Sequence, residues 1–207
     1  MSSSQLNVFT IGHSNHPIVE FIALLERHGI EVVADVRSHP FSRFNPQYNR
    51  RELERSLNEH GIRYVFLGRE LGARSDDPAC YESGRVVYAR LASTDLFRRG
   101  VERVLRGAED YRIALMCAEK DPLDCHRTVL VARALAERGV TVHHLLADGS
   151  IETHEEALSR LLDVAGLPQE DLFRSRQDLI AEALAAQEKR IAFVNEAMAA
   201  KAAGDAG

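Results

Sequence analysis

Tryptophan is absent from the 207 residues, lysine occurs three times and cysteine three times. Three cysteines make an odd number with no framework spacing, which excludes a disulfide-stapled secreted fold and points to a reducing compartment. No apolar run approaches the roughly 18–20 residues of a membrane helix. Met1-Ser2-Ser3-Ser4-Gln5 has neither the basic start nor the apolar stretch of a secretory signal, so a cytoplasmic protein without a membrane partner is expected. Basic residues number 26 against 31 acidic ones, a net charge of −5, which disfavours a general polyanion binder. Apart from Lys120, Lys189 and Lys201 every basic residue is arginine. Hydrophobic residues at 45% and charged residues at 28% exclude a wholly disordered chain.

What is present is an alternation of strands and helices. Leu6–Ile11, Glu31–Val36, Arg63–Leu67, Arg112–Cys117 and Val140–Leu146 are short and rich in β-formers. Between them, apolar positions recur at helical spacing in segments stopped by Gly29, Gly61 and Gly139. Asp95–Gly107, Asp124–Arg138 and Ile151–Ala165 are expected as helices, as is Val86–Ala92. A long irregular segment runs from Gly68 to about Arg85. This order predicts an α/β fold with a three-layer, mostly parallel five-stranded sheet flanked by helices. Beyond Pro168 the composition changes to Ala, Glu, Gln and Arg, and Gln169–Ala203 reads as one long helix, broken at most once. The expected organisation is an α/β domain over 1–166 and a helical extension over 167–207 with a frayed end at Gly204–Gly207. The extension either packs on the domain or forms a homodimer contact.

Parallel α/β sheets bind ligands beyond the carboxyl ends of their strands. The polar residues there are Gly12, His13, Ser14 and Asn15; Asp35, Arg37, His39, Arg43 and Asn45; Glu70; Cys117, Glu119, Asp121, Cys125, His126 and Arg127; and Asp148. Cys125-His126-Arg127 opens a predicted helix after Pro122, where the dipole and free N–H groups favour a thiolate or a bound anion. Cys125 is thereby a candidate nucleophile and Arg127 a candidate anion clamp. Leu123 stands where a phosphatase loop begun at Cys117 would carry arginine, so that loop is not present. Cys117 is a strand-end residue that suits either chemistry or packing, and Cys80 is expected to be incidental. His13, Asp35 and Glu119 are candidate acid/base residues. Each has a structural alternative: loop hydrogen bonding for His13, an Asp–Arg pair with Arg37 for Asp35. Gly12, Ser14, Asn15, Arg37, Arg43, His126 and Arg127 are candidates for holding substrate. His28, His60 and His154 are expected on helix surfaces, and His143-His144 to alternate across the sheet.

Two other readings compete. Cys117, Cys125, His126, His13 and Asp35 are all metal-ligand types. Their spacing fits no standard zinc signature, so the sequence assigns no metal ligands and no cofactor. Residues 36–74 hold eight arginines against four glutamates, interleaved with Phe41, Phe44 and Tyr48, a composition that suits nucleic acid. It equally suits a solvated helix with Glu–Arg pairs at Arg50, Arg51 and Arg55.

Thr10-Ile11-Gly12-His13-Ser14-Asn15, Ala34-Asp35-Val36-Arg37 with Pro40, Leu67-Gly68 with Leu71-Gly72, and Met116-Cys117-Ala118-Glu119 leading to Cys125-His126-Arg127 together resemble the bacterial domain-of-unknown-function 488 family. The resemblance spans roughly residues 6–150 and implies a compact cytoplasmic α/β domain without an assigned reaction. The function expected from the residues is an enzyme for a small anionic, nucleotide-like substrate. A nucleic-acid-binding module and a metalloprotein are the alternatives.

Overall fold

A computed structural model describes residues 5–204. Its centre is a six-stranded sheet of β1 (Asn7–Gly12), β2 (Val32–Asp35), β3 (Arg63–Phe66), β6 (Ile113–Cys117), β7 (Thr141–Leu145) and β8 (Ile151–Thr153), in the order β3-β2-β6-β1-β7-β8. The first five are parallel, and β8 closes the edge antiparallel to β7. Central strands are apolar on both sides because helices cover both faces. Phe9, Ile11, Val33, Ala114 and Met116 pack under α1 (Ile18–Arg27) and α2 (Arg50–Glu59). Val8, Ala34, Leu115 and Val142 face the other way, under α5 (Asp95–Asp110) and the helical stretch after Cys125.

The chain thus leaves β1 toward one face and β6 toward the other. These two strands are neighbours, with Gly12 paired to Cys117 at their carboxyl ends. Such a switch point opens a crevice between adjacent strand ends.

Several expectations are corrected in detail. A sixth strand joins the five expected, because Ile151–Thr153 is not helical. Gly149, at φ 83°, turns the chain back, and Ile151 and Thr153 then pair with Leu145 and His143. Thr153 also caps α7 (His154–Val164) in a reciprocal box with Glu156. Val86 is a strand residue: β4 (Tyr81–Glu82) and β5 (Arg85–Val86) form a hairpin whose turn, Ser83-Gly84, has positive φ at both positions. The 68–85 segment further contains α3 (Gly68–Leu71) and a 3₁₀ turn at Pro78–Cys80, and α4 (Tyr88–Ala92) follows it. The helix expected over Asp124–Arg138 starts only after Cys125, which is extended, and runs through a π-helical stretch, Arg127–Ala132, into α6 (Arg133–Ala136).

The C-terminal helix is two helices, α8 (Arg176–Ile191) and α9 (Glu196–Gly204). Ser175 and Asp178 cap α8, so 169–175 stays irregular, and Leu172 lies 94% exposed rather than on a packed face. Between the helices the chain extends to pair with the hairpin: Val86 N–H donates to Phe193 O (3.0 Å) and Asn195 N–H to Gly84 O (2.7 Å). Leu179, Ala183 and Leu184 of α8 are buried in the core of the chain's own body, so the face considered for a homodimer is already covered. The frayed end expected at 204–207 lies, from 205 on, outside the described residues. No helix among the described residues is long and apolar enough to cross a membrane.

His154 is buried, not on the helix surface as expected. His144 contacts Thr10 Oγ1 through Nδ1 (2.8 Å) and His154 Nδ1 through Nε2 (3.2 Å). Burial holds His154 down to about 4. The folded protein therefore refuses a proton that the unfolded chain accepts below pH 6.5, and stability falls as pH drops from 6.5 toward 4. The slope is about 1.4 kcal/mol per pH unit for each such histidine. Urea unfolding at pH 7, 5.5 and 4.5 should show this loss, and His154→Gln should lessen it, leaving the part carried by His13 and His144, which burial also holds down.

Candidate functional site

Asp35 ends β2 with no exposed surface, and the chain then folds Arg37 back on it. Arg37 Nε donates to Asp35 Oδ1 (2.9 Å), its Nη2 to Oδ2 (2.6 Å), and its backbone N–H to Oδ1 (3.1 Å). Tyr64 OH donates to Oδ2 (2.8 Å). Arg37 Nη2 also donates to Tyr48 O (2.8 Å), and Nη1 to His13 Nε2 (3.0 Å). Arginine only donates, so His13 Nε2 accepts and its proton sits on Nδ1, which donates to Ser14 O (2.8 Å). The His13 ring stacks on Tyr48, with centroids 4.0 Å apart. Burial and then the Arg37 charge lower the His13 pKa to about 4. Burial opposes the charge on Arg37, but the Asp35 pair outweighs it and raises the pKa.

The second knot joins β1 to β6. A Cβ at Gly12 would lie 1.8 Å from Glu119 O, so the close approach that glycine permits is to the chain's own backbone. Fully buried Arg127 donates to Glu119 O (2.8 Å) and Lys120 O (3.3 Å), while its Nε has no hydrogen-bond partner among the described residues. Ser14 N–H donates to Ala118 O (2.9 Å) and its Oγ to Asn15 Oδ1 (3.2 Å).

At the carboxyl ends of β2 and β6 a cavity of about 230 Å³ opens. Cys117, Cys125, His126 and Glu119 lie on its lining, with Arg37, His39, Arg74 and Tyr88 around them. Ile191 and Phe193, from the C-terminal segment, add an apolar wall, and Arg74 lies over the Phe193 ring at 4.5 Å. His126 Nε2 donates to Val36 O (3.1 Å), which turns Nδ1 toward both sulfurs, 3.7 Å from Cys117 Sγ and 3.8 Å from Cys125 Sγ. Cys125 lies between the 3₁₀ turn and the helical stretch, its sulfur accepting the Arg127 N–H at 3.4 Å. Burial resists ionisation of Cys125, yet the Cys117 thiol, Arg127 and His126 pull its pKa well down. Burial and then the Cys125 charge push Cys117 up; burial opposes protonation of His126, but Cys125 raises it. Glu119 stands beside both sulfurs, and crowding by protein and then Cys125 raises its carboxyl.

The site residues therefore separate. Cys125, His126, Glu119 and Arg37 lie on the cavity, as does Cys117. Gly12, His13, Ser14, Asn15, Asp35 and Arg127 lie outside its lining, and most of them bond to one another or to the chain behind it; Arg43 is exposed on the loop after β2. Sequence reasoning gave no site role to Tyr88, Ile191 and Phe193, which come from segments with no polar motif, and counted Arg74 only among the eight arginines of 36–74. Of the eight arginines in 36–74, Arg50 lies over Phe66, Arg63 over Tyr111 and Arg74 over Phe193, while Arg37 pairs with Asp35.

A family model described as "Domain of unknown function DUF488" matches residues 17–134, more than half of the chain. The chain belongs to the DUF488 family. No curated protein and no solved structure matches it. The DUF488 span holds Asp35, Arg37, Cys117, Glu119, Cys125 and His126, whereas Ile191 and Phe193 lie beyond it.

The Asp35–Arg37 pair is buried, and removing one partner strands the other's charge. Asp35→Ala should cost about 3–5 kcal/mol in urea unfolding. A loss below ~1 kcal/mol would show that the pair does not anchor this end of the sheet.

Proposed function

We propose that this DUF488 protein is an enzyme acting on a small phosphate- or carboxylate-bearing substrate bound in the cavity beyond β2 and β6. The observation that carries the reading is the composition of that one cavity. Two sulfurs, an imidazole and a carboxylate line it together with the Arg74 guanidinium. The helical stretch after Cys125 points its N-terminus at the same place, which favours negative charge. A crevice at a switch point with several groups of perturbed proton affinity is the usual setting of α/β catalysis.

Roles follow from access. Arg74 and the helix N-terminus hold the anion. Glu119, open to the cavity and with a raised pKa, is the acid/base. Cys117, Cys125 and His126 form the reactive centre. Cys125 is only 1% exposed, which argues against direct attack by a free thiolate on a bulky substrate. His13, Asp35, Arg37 and Arg127 are positioning residues, since most of their polar groups bond to the protein itself.

Thermal melts of metal-free protein with inorganic phosphate, sugar phosphates, nucleoside monophosphates and dicarboxylates test this. A cavity ligand at 100 times its Kd should add about 2.7 kcal/mol of stability. Arg74→Ala, at an exposed position, should fold normally and lose the effect. No stabilisation by any anion, or an effect unchanged in Arg74→Ala, would reject the reading.

A further inference from the structure

We infer that Cys117, Cys125 and His126 form a binding site for a zinc-class ion, with its fourth position facing the cavity beside Glu119. This deepens the reading of the cavity as a reactive centre, and rests on it for the use of the ion but not for its binding.

The geometry carries the inference. Sγ of Cys117, Sγ of Cys125 and Nδ1 of His126 all lie within 4.8 Å of one another. The two sulfur–nitrogen separations are 3.7 and 3.8 Å. A tetrahedral zinc with sulfur at about 2.3 Å and nitrogen at about 2.0–2.1 Å sets its ligand atoms roughly 3.5–3.8 Å apart. The two sulfur–nitrogen separations therefore already match edges of one face of such a tetrahedron, and the sulfurs lie within 4.8 Å of each other.

The surroundings match what a metal site requires. A ligating imidazole normally donates its other N–H to a fixed acceptor, and His126 Nε2 does so to Val36 O at 3.1 Å. The Arg127 backbone N–H lies on the Cys125 sulfur at 3.4 Å, as suits a thiolate. The scaffold is rigid: Cys117 ends a central strand, and Cys125 and His126 begin the helical stretch locked by Arg127.

Chemistry selects the ion. Two thiolates and an imidazole suit borderline-soft zinc and not magnesium or calcium, which take oxygen ligands. Three protein ligands leave a coordination position open, the pattern of catalytic rather than structural zinc. The cavity with Glu119 lies on that side, so an anionic oxygen or a water could complete the shell there. Sequence spacing could not show this, because the first sulfur comes from a strand end and the other two ligands from adjacent residues eight and nine positions on.

The test uses the full chain, reduced and stripped of metal. Calorimetric titration with zinc should give one ion per chain, and cobalt(II) should give the charge-transfer absorption of cobalt–thiolate bonds. Cys117→Ser and Cys125→Ser should each weaken zinc binding by more than ~100-fold, with protons released on binding to the unaltered chain. Cys80→Ala, outside the three-ligand group, should bind as the unaltered chain does. Because a serine variant could misfold, alkylation mapped by mass on the unaltered chain provides a separate arm: zinc should slow modification of Cys117 and Cys125. Absence of stoichiometric zinc, binding that survives loss of both sulfurs, or alkylation indifferent to zinc would each overturn the site. Anion stabilisation of the metal-free chain without zinc binding would leave the crevice reading standing and overturn the metal. Zinc binding without any anion effect would do the reverse.

Discussion

The buried Arg37–Asp35 pair is the constraint on which the crevice depends. An aspartate at the end of a central strand has no water to solvate it, so its charge must be met by the protein. Arg37 meets it in two parallel hydrogen bonds and gives two further donors to Tyr48 O and His13 Nε2. One side chain thus ties the loop after β1, the end of β2 and the approach to α2. Such a pair contributes little net stability compared with apolar packing, but its directional bonds fix which way each loop leaves the sheet. With that fixed, Val36 O is left in place to receive the His126 N–H. The orientation of the imidazole toward the sulfurs is a consequence of the salt bridge one residue away.

The Gly12–Glu119–Arg127 contact does for β6 what the salt bridge does for β2. Glu119 O occupies the space a side chain at position 12 would need, and Arg127 donates to that carbonyl while its guanidinium lies against Gly12. The turn between Cys117 and Cys125 is held at both ends by this means. Asp121 secures its middle, capping the 3₁₀ turn at Leu123 N–H while taking two bonds from Arg160. Two cysteines eight residues apart are brought together by a turn held through these hydrogen bonds. The π-helical stretch that follows is consistent with a helix accommodating a fixed start, and such stretches are frequent at functional sites.

Much of the fold was legible because its causes are local. Five apolar runs separated by glycine-stopped amphipathic segments leave few alternatives to a parallel α/β sheet. The sixth strand was not legible, since Ile151–Thr153 becomes extended only through pairing with β7 and is too short to show periodicity. The break in the C-terminal helix is likewise tertiary: Ala192–Asn195 has no breaker residue, and it extends because the hairpin offers it backbone partners. At the site, strand-end position identified Cys117, Cys125, His126 and Glu119, because that rule depends only on topology. It could not separate residues facing the cavity from residues facing each other. His13, Asp35 and Arg127 have the chemistry of a catalytic site, and their hydrogen bonds run into the protein. The Asp–Arg alternative weighed for Asp35 describes what its carboxylate does.

The floor and the wall of the cavity are held by different physics, and this bears on how freely each can change. The floor is a mesh of short directional contacts among buried polar groups, in which any altered member leaves a partner unsatisfied at several kcal/mol. Asp35, Arg37, Cys117, Glu119, Cys125, His126 and Arg127 lie within the span matched by the DUF488 family, while Gly12 and His13 precede it. The outer wall is Ile191 and Phe193, with Arg74 stacked on the latter. An exposed cation–π contact is worth about 0.5–1 kcal/mol, and half-buried apolar residues of similar volume exchange at small cost. The wall comes from a segment outside that span, fastened by backbone bonds to the hairpin rather than by side-chain identity. A protein built in this way can keep one cavity floor while the shape of the cavity's outer wall is reset by a few residues of its C-terminal segment.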